Sequence, residues 1–124
     1  MAFQFEKLEV YQESLDWVES VETLCESLKG KASYSLIDQL SRAALSIPLN
    51  IAEGNGRWHK GEKRQFFWIA RGSVFECVPI VQVLQRKKLI DEQQYACFYE
   101  KLDMIAKMLT NLVKSVEKLK RSSS

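Results

Sequence analysis

From Leu8 almost to the C-terminus, apolar residues recur three and four positions apart, and only a helix gathers such a spacing onto one side. Leu8, Tyr11, Leu15, Val18, Val21, Leu24, Cys25 and Leu28 keep this step, with Glu9, Glu13, Asp16, Glu19, Glu22 and Glu26 between them. The pattern predicts a first helix over about 6–29, ended by Gly30, which tolerates left-handed backbone. Leu36, Leu40, Ala44, Ile47 and Ile51 predict a second helix over about 34–54. Ser33 or Ser35 can cap it, and Ser35 with Asp38 resembles a capping box. Pro48 falls inside and removes an amide, which predicts a bend. A third helix over about 61–87 has apolar residues on more than one side and a second internal proline, Pro79. The fourth, about 91–120, opens with an Asp91–Gln94 capping box and carries a long stripe from Tyr95 to Leu119. Four helices with short joints predict an all-α, antiparallel up-down-up-down four-helix bundle, one domain over 1–120, with 121–124 as a disordered tail.

Length and composition agree with this reading. A chain of 124 residues hides roughly 14,000 Å² on folding, enough for a core without staples or metal. Two prolines and five glycines are too few for a sandwich that turns every ten residues or so. No uncharged apolar run reaches membrane-spanning length, and the first residues lack a secretion-signal pattern, so no membrane partner and a cytoplasmic location are expected. Cys25, Cys77 and Cys97 are an odd number without paired spacing, which suits reduced thiols. His59 is the only histidine, so a di-iron site with two Glu-x-x-His motifs is excluded, and neither metal nor cofactor is expected. No Ser-His-Asp or phosphate-loop spacing is present, so the chain reads as no enzyme.

The third helix holds more apolar surface than one stripe. Phe66, Phe67, Ala70, Val74, Cys77, Val81 and Leu84 fill one side, while Trp68, Phe75, Val78 and Ile80 fall largely elsewhere. Such a helix must be covered from several directions, and in so short a chain the further cover implies a subunit interface built on Trp68, Phe75, Val78 and Ile80.

Two polar groupings stand out. Asn50, Glu53, Arg71 and Glu76 lie in apolar helical sequence. They read either as a ligand or catalytic cluster with Glu53 and Glu76 as paired carboxylates, or as a buried hydrogen-bonded network that sets helix register. The general rule that buried polar groups are satisfied favours the network. The second grouping is Arg57, Trp58, His59, Lys60, Lys63 and Arg64 at a predicted helix N-terminus, joined by the C-terminal Lys118 and Lys120. Cations, free amides and the helix dipole suit phosphate, and Trp58 can stack on an unpaired base. The alternative is a solvated basic turn with Trp58 packed on the bundle end. The charge is polarised in the same sense: two lysines against seven acids in residues 1–30, sixteen cations against nine acids in the rest.

The stretch QLSRAALSIPLNIAEGNGR, residues 39–57, resembles the pattern QxxRAAxSIPxNIAEGxGR of the bacterial four helix bundle proteins, also called the 23S rRNA-intervening-sequence protein family. Phe66, Ile69, Ala70, Gly72, Ser73 and Glu76 resemble its second block, and FEKLEVYQESL its opening. The resemblance implies a four-helix bundle that assembles as a ring of five, with no established catalytic activity. It further implies an RNA-binding role. Some relatives are encoded within insertions in large-subunit ribosomal RNA genes. Others are accessory variability determinants of diversity-generating retroelements, in which a basic pentamer binds RNA and a reverse transcriptase. Where the family usually has Ser or Thr to cap the third helix, this chain has His59. The function expected is therefore an oligomeric RNA-binding scaffold, with a protein–protein scaffold as the alternative.

Overall fold

A computed structural model describes residues 3–119. Lys120 and the tail expected to be disordered lie outside them. A short 3-10 turn, Gln4–Lys7, precedes four helices: α1 (Glu9–Leu28), α2 (Tyr34–Asn55), α3 (Lys60–Arg86) and α4 (Glu92–Glu117). The fold is an all-α four-helix bundle, as expected. Contacts between successive helices pair the end of each with the first turns of the next: Cys25 Sγ to the Ile37 carbonyl, Gly54 against Phe67, and Gln82 Nε2 to Tyr95 Oη.

Local chemistry sets the boundaries. α1 starts three residues later than its apolar spacing suggests, because Glu6 turns back to accept from the Phe3 amide (2.9 Å) and closes a separate turn. Gly30 ends α1 with φ +78°, the left-handed geometry that suits glycine. Of the two candidate caps of α2, Ser33 serves, its hydroxyl accepting from the Leu36 amide at 3.2 Å. Pro48 and Pro79 both lie inside unbroken helices. The Asp91–Gln94 capping box forms in full, with bonds of 2.7 and 3.0 Å. The turn between α3 and α4 was not legible. Lys88, at φ 60°, holds a left-handed position that usually takes glycine. Around it the Lys88 amide bonds to Gln85 and the Leu89 amide to Leu84, which is a Schellman closure.

The core is filled by Trp17, Val21, Leu28, Leu40, Ile47, Ile51, Val74, Cys77, Leu84, Leu102, Ile105 and Leu109, with a smaller cluster of Phe67, Val113 and Val116 towards one end. α3 is the inner helix, lying most extensively against α2 and α4, whereas α1 lies mainly on α2. By length and apolarity alone α3 could cross a membrane, with a mean hydropathy of 1.4 over its best 18 residues. Its buried side chains, Phe67, Ala70, Val74, Cys77, Val81 and Leu84, account for part of that apolarity as bundle core, and exposed Trp68, Ile69, Phe75 and Val83 supply the rest.

α2 and α3 approach closely. A Cβ at Gly54 would stand 2.7 Å from Phe67 Cε1, and the hydroxyls of Ser46 and Ser73 bond across the seam at 2.8 Å. α1 and α4 meet through the edge of Trp17 on Phe98 (5.6 Å between centroids) and a half-buried Lys101–Glu13 ion pair.

The structure corrects one of the four residues expected at a subunit interface. Ile80 is 7% exposed and belongs to the core. It follows Cys77 by three and precedes Leu84 by four, so it continues the buried stripe. Trp68 and Phe75 do face outward, at 46% and 53% exposure, and Val78 is half-buried beside them.

Candidate nucleic-acid interface

The antiparallel arrangement brings the C-termini of α2 and α4 to the N-terminus of α3. The carbonyl ends of two helices therefore meet at one place, and their dipoles favour cations. The basic residues of the α2–α3 joint supply them. Lys60 Nζ donates to the carbonyls of Leu119 (2.9 Å) and Glu117 (3.4 Å) at the end of α4. Lys63 Nζ donates to the Asn55 carbonyl at the end of α2 (2.9 Å), and burial lowers its pKa. Arg64 Nη1 makes a two-pronged contact with the Glu117 carboxylate at 3.1 and 3.2 Å. Arg57 bonds to Glu53 one turn earlier (2.8 Å), and its guanidinium lies 4.7 Å from the centre of the Phe66 ring.

The cations expected to contact nucleic acid thus sit together and fasten three helix ends. Lys118, the C-cap residue of α4, is exposed beside them. Trp58 is 72% exposed, so it is not packed on the bundle end. His59 takes the N-cap position of α3 in extended backbone, without a side-chain capping bond. What remains open to a ligand is a rim: the Trp58 ring, the outer edges of Arg57 and Arg64, and Lys118. Glu53, Glu62 and Glu117 lie among these residues and reduce the positive potential.

The four residues read as a buried polar network do not form one. Glu53 is exposed and paired with Arg57; Glu76 is exposed. Asn50 Nδ2 bonds within α2, to the Ser46 carbonyl (2.8 Å) and hydroxyl (3.0 Å). Arg71 turns the other way, to Thr110 Oγ1 of α4 at 3.0 Å, with its guanidinium 5.2 Å from the Trp68 ring centre and 4.4 Å from that of Phe75. The physical reason is angular. Residues 71 and 76 are five apart, so they project from opposite flanks of α3, and α2 presents Glu53 away from the core defined by Ile47, Ile51 and Gly54. The largely buried hydroxyl pair Ser46–Ser73 holds the place the network was expected to hold; one serine in each of the two recognisable blocks was the available signal.

Among the described residues no cluster of histidine, cysteine and carboxylate can hold a metal. Cys77 is buried and its thiol pKa is pushed up to about 12 by desolvation; Cys97 is exposed.

The family model of the 23S rRNA-intervening sequence protein matches residues 6–111. The chain belongs to that family. A crystal structure of a protein of unknown function from the S23 ribosomal protein family of Bacteroides thetaiotaomicron is similar in fold, with a TM-score of 0.80 at 23% identity. The similarity covers 85% of this chain and 98% of that one. No curated protein matches this chain. At that identity the likeness shows the bundle architecture alone, and the basic rim is a property of this chain's own residues.

Proposed function

We propose that this family member is a non-enzymatic, cytoplasmic scaffold that assembles as a homo-oligomeric ring, expected to be a pentamer, and binds RNA at the α2–α3 end of each bundle. The observation that carries the reading is Trp58, a large aromatic held out in solvent beside Arg57, Lys60, Lys63, Arg64 and Lys118. An exposed ring next to fixed cations is what single-stranded RNA uses: the bases stack and the phosphates pair. Repetition around a ring adds the weak sites together. The family's description, which names an intervening sequence of 23S rRNA, is in keeping with it.

The test is fluorescence anisotropy of a labelled single-stranded RNA across a salt series. If the three open cations, Arg57, Arg64 and Lys118, contact phosphate, log affinity should fall against log salt with a slope of about −2 for each bound site, at roughly 0.7 per contact. Trp58→Ala should weaken binding by about 1–3 kcal/mol, the usual contribution of one stacked base. A salt-independent affinity, or none at about 50 mM salt, would refute RNA binding.

A second reading has its own supporting observation. Lys60, Lys63 and Arg64 are engaged by helix-end carbonyls and by Glu117, so the cluster has a sufficient structural task without RNA. On that reading the chain is a protein–protein scaffold, for a reverse transcriptase or another protein, and charge removal at these positions lowers stability without touching any nucleic-acid affinity.

A further inference from the structure

Arg71 and Glu76 are the two members of the expected network that the subunit leaves incomplete. The Glu76 carboxylate is exposed and has no hydrogen-bond or ion-pair partner among the described residues. Arg71 has its Nε fixed by Thr110 and its plane held against Trp68 and Phe75, while neither terminal nitrogen has an acceptor among the described residues. A half-buried guanidinium locked in one orientation, with its outer edge unused, is preorganised for a carboxylate.

Each group sits in an apolar setting. Beyond Arg71, between α3 and α4, runs a mostly apolar groove of about 240 Å³ with Phe75, Val78 and Pro79 on one side and Tyr99, Asp103 and Ala106 on the other, the Asp103 carboxylate being held by Lys107 at 2.9 Å. Glu76 lies on the flank of α3 turned towards α2, the flank on which Ser73 reaches Ser46. Exposed Leu45, Leu49 and Ile69 surround that seam. One flank therefore presents a carboxylate among protruding aliphatics, and the other a guanidinium at the end of an apolar groove. Between the two, Gly72 sits exposed in mid-helix, and a Cβ there would meet nothing within 4 Å. Glycine inside a helix is unfavourable, and nothing in this subunit requires it. A second backbone passing over α3 gives it a use.

We infer that the occupant is a second copy of this chain, docked so that Glu76 of one subunit pairs with Arg71 of the next while Leu45 and Leu49 lie towards the α3–α4 groove. The inference rests on the proposed self-assembly and adds its contact. Because donor and acceptor are on opposite flanks of one helix, the contact runs head to tail, and such a contact gives a ring where its rotation closes and an open filament where it does not.

The experiment is a charge swap read by light-scattering mass after size exclusion, at fixed concentration and neutral pH, with far-UV circular dichroism as a check on folding. The wild type should show a multiple of 14.4 kDa. Glu76→Arg should lower the mass towards the monomer, and Arg71→Glu should do the same. The double variant, E76R with R71E, should recover at least half of the assembled fraction. Glu76 is exposed, so its variant stays informative even where Arg71→Glu fails to fold, and Arg71→Gln then supplies the second arm. Single variants that assemble like the wild type overturn this contact and leave self-assembly standing. A folded double variant that stays dissociated overturns the direct pairing. A monomeric wild type overturns both contact and assembly and leaves the groove to a different occupant.

Discussion

The seam between α2 and α3 makes Gly54 the position where one added methyl group should be felt most. An alanine there places Cβ 2.7 and 2.8 Å from two ring carbons of Phe67 and 3.0 Å from Phe66 Cβ. Carbon atoms settle at about 3.5–4.0 Å, so the ring must retreat by most of an ångström. Phe67 has no free side to retreat into: it is 1% exposed and packed on Val113 and Val116 of α4. Overpacking of this kind costs about 1–3 kcal/mol. Alanine recovers up to about 1 kcal/mol of helix propensity, less in a last turn such as this. Gly54→Ala should therefore destabilise by about 1–2 kcal/mol. Urea denaturation at fixed protein concentration reads it as a lower midpoint with an unchanged slope, the concentration held because assembly itself stabilises. Phe67→Leu supplies the second leg of a double-mutant cycle. If the clash is the cause, the two changes couple favourably by about 1 kcal/mol or more, since leucine vacates the space that Cβ invades. A Gly54→Ala protein as stable as the wild type, or additive effects in the double variant, would refute the argument.

Three further outcomes follow from local structure. Lys88→Gly should stabilise the protein by about 0.5–1 kcal/mol in the same assay, because Lys88 holds a left-handed backbone that costs a side-chain-bearing residue about 1–2 kcal/mol while glycine gives up part of that gain to chain entropy; a loss of stability would show that the lysine side chain matters more than its backbone. Cys97 should react with a thiol reagent at neutral pH and Cys77 should not; the raised folded-state pKa of Cys77 also means that the stability it protects is complete below about pH 9 and is lost as pH rises towards 12, so Cys77→Val should flatten that alkaline decline, and an unchanged decline would rule out the thiol as its source.

Much of the candidate site could be read from residue order, and the failures have a common origin. The clustering of Arg57, Lys60, Lys63 and Arg64 follows from proximity in the chain, and the arrival of the α4 end beside them follows from up-down topology. Their engagement was hidden. No linear pattern says that a lysine at 60 will reach a carbonyl at 119, and that bond determines how much charge is left for a ligand. The supposed network failed for the same reason in reverse: Asn50, Glu53, Arg71 and Glu76 look buried because their neighbours are apolar, yet a helix turns 100° per residue and set them on different faces. Ile80 lies next to Pro79 and Val78 in the chain, which suggests an outer position, yet its step of three from Cys77 and four to Leu84 keeps it inward.

The order of residues alone determined the helices, their caps at Asp91 and Gly30, and the bundle they build, because period, capping and chain reversal are short-range matters that act within a few residues. Tertiary structure alone decided which helix was central, which serines met across the seam, and whether a charged side chain faced water, a carbonyl or an aromatic ring. Those outcomes depend on the angle at which two helices come together, and that angle is set by the summed packing of side chains distant in the chain, such as Gly54 and Phe67.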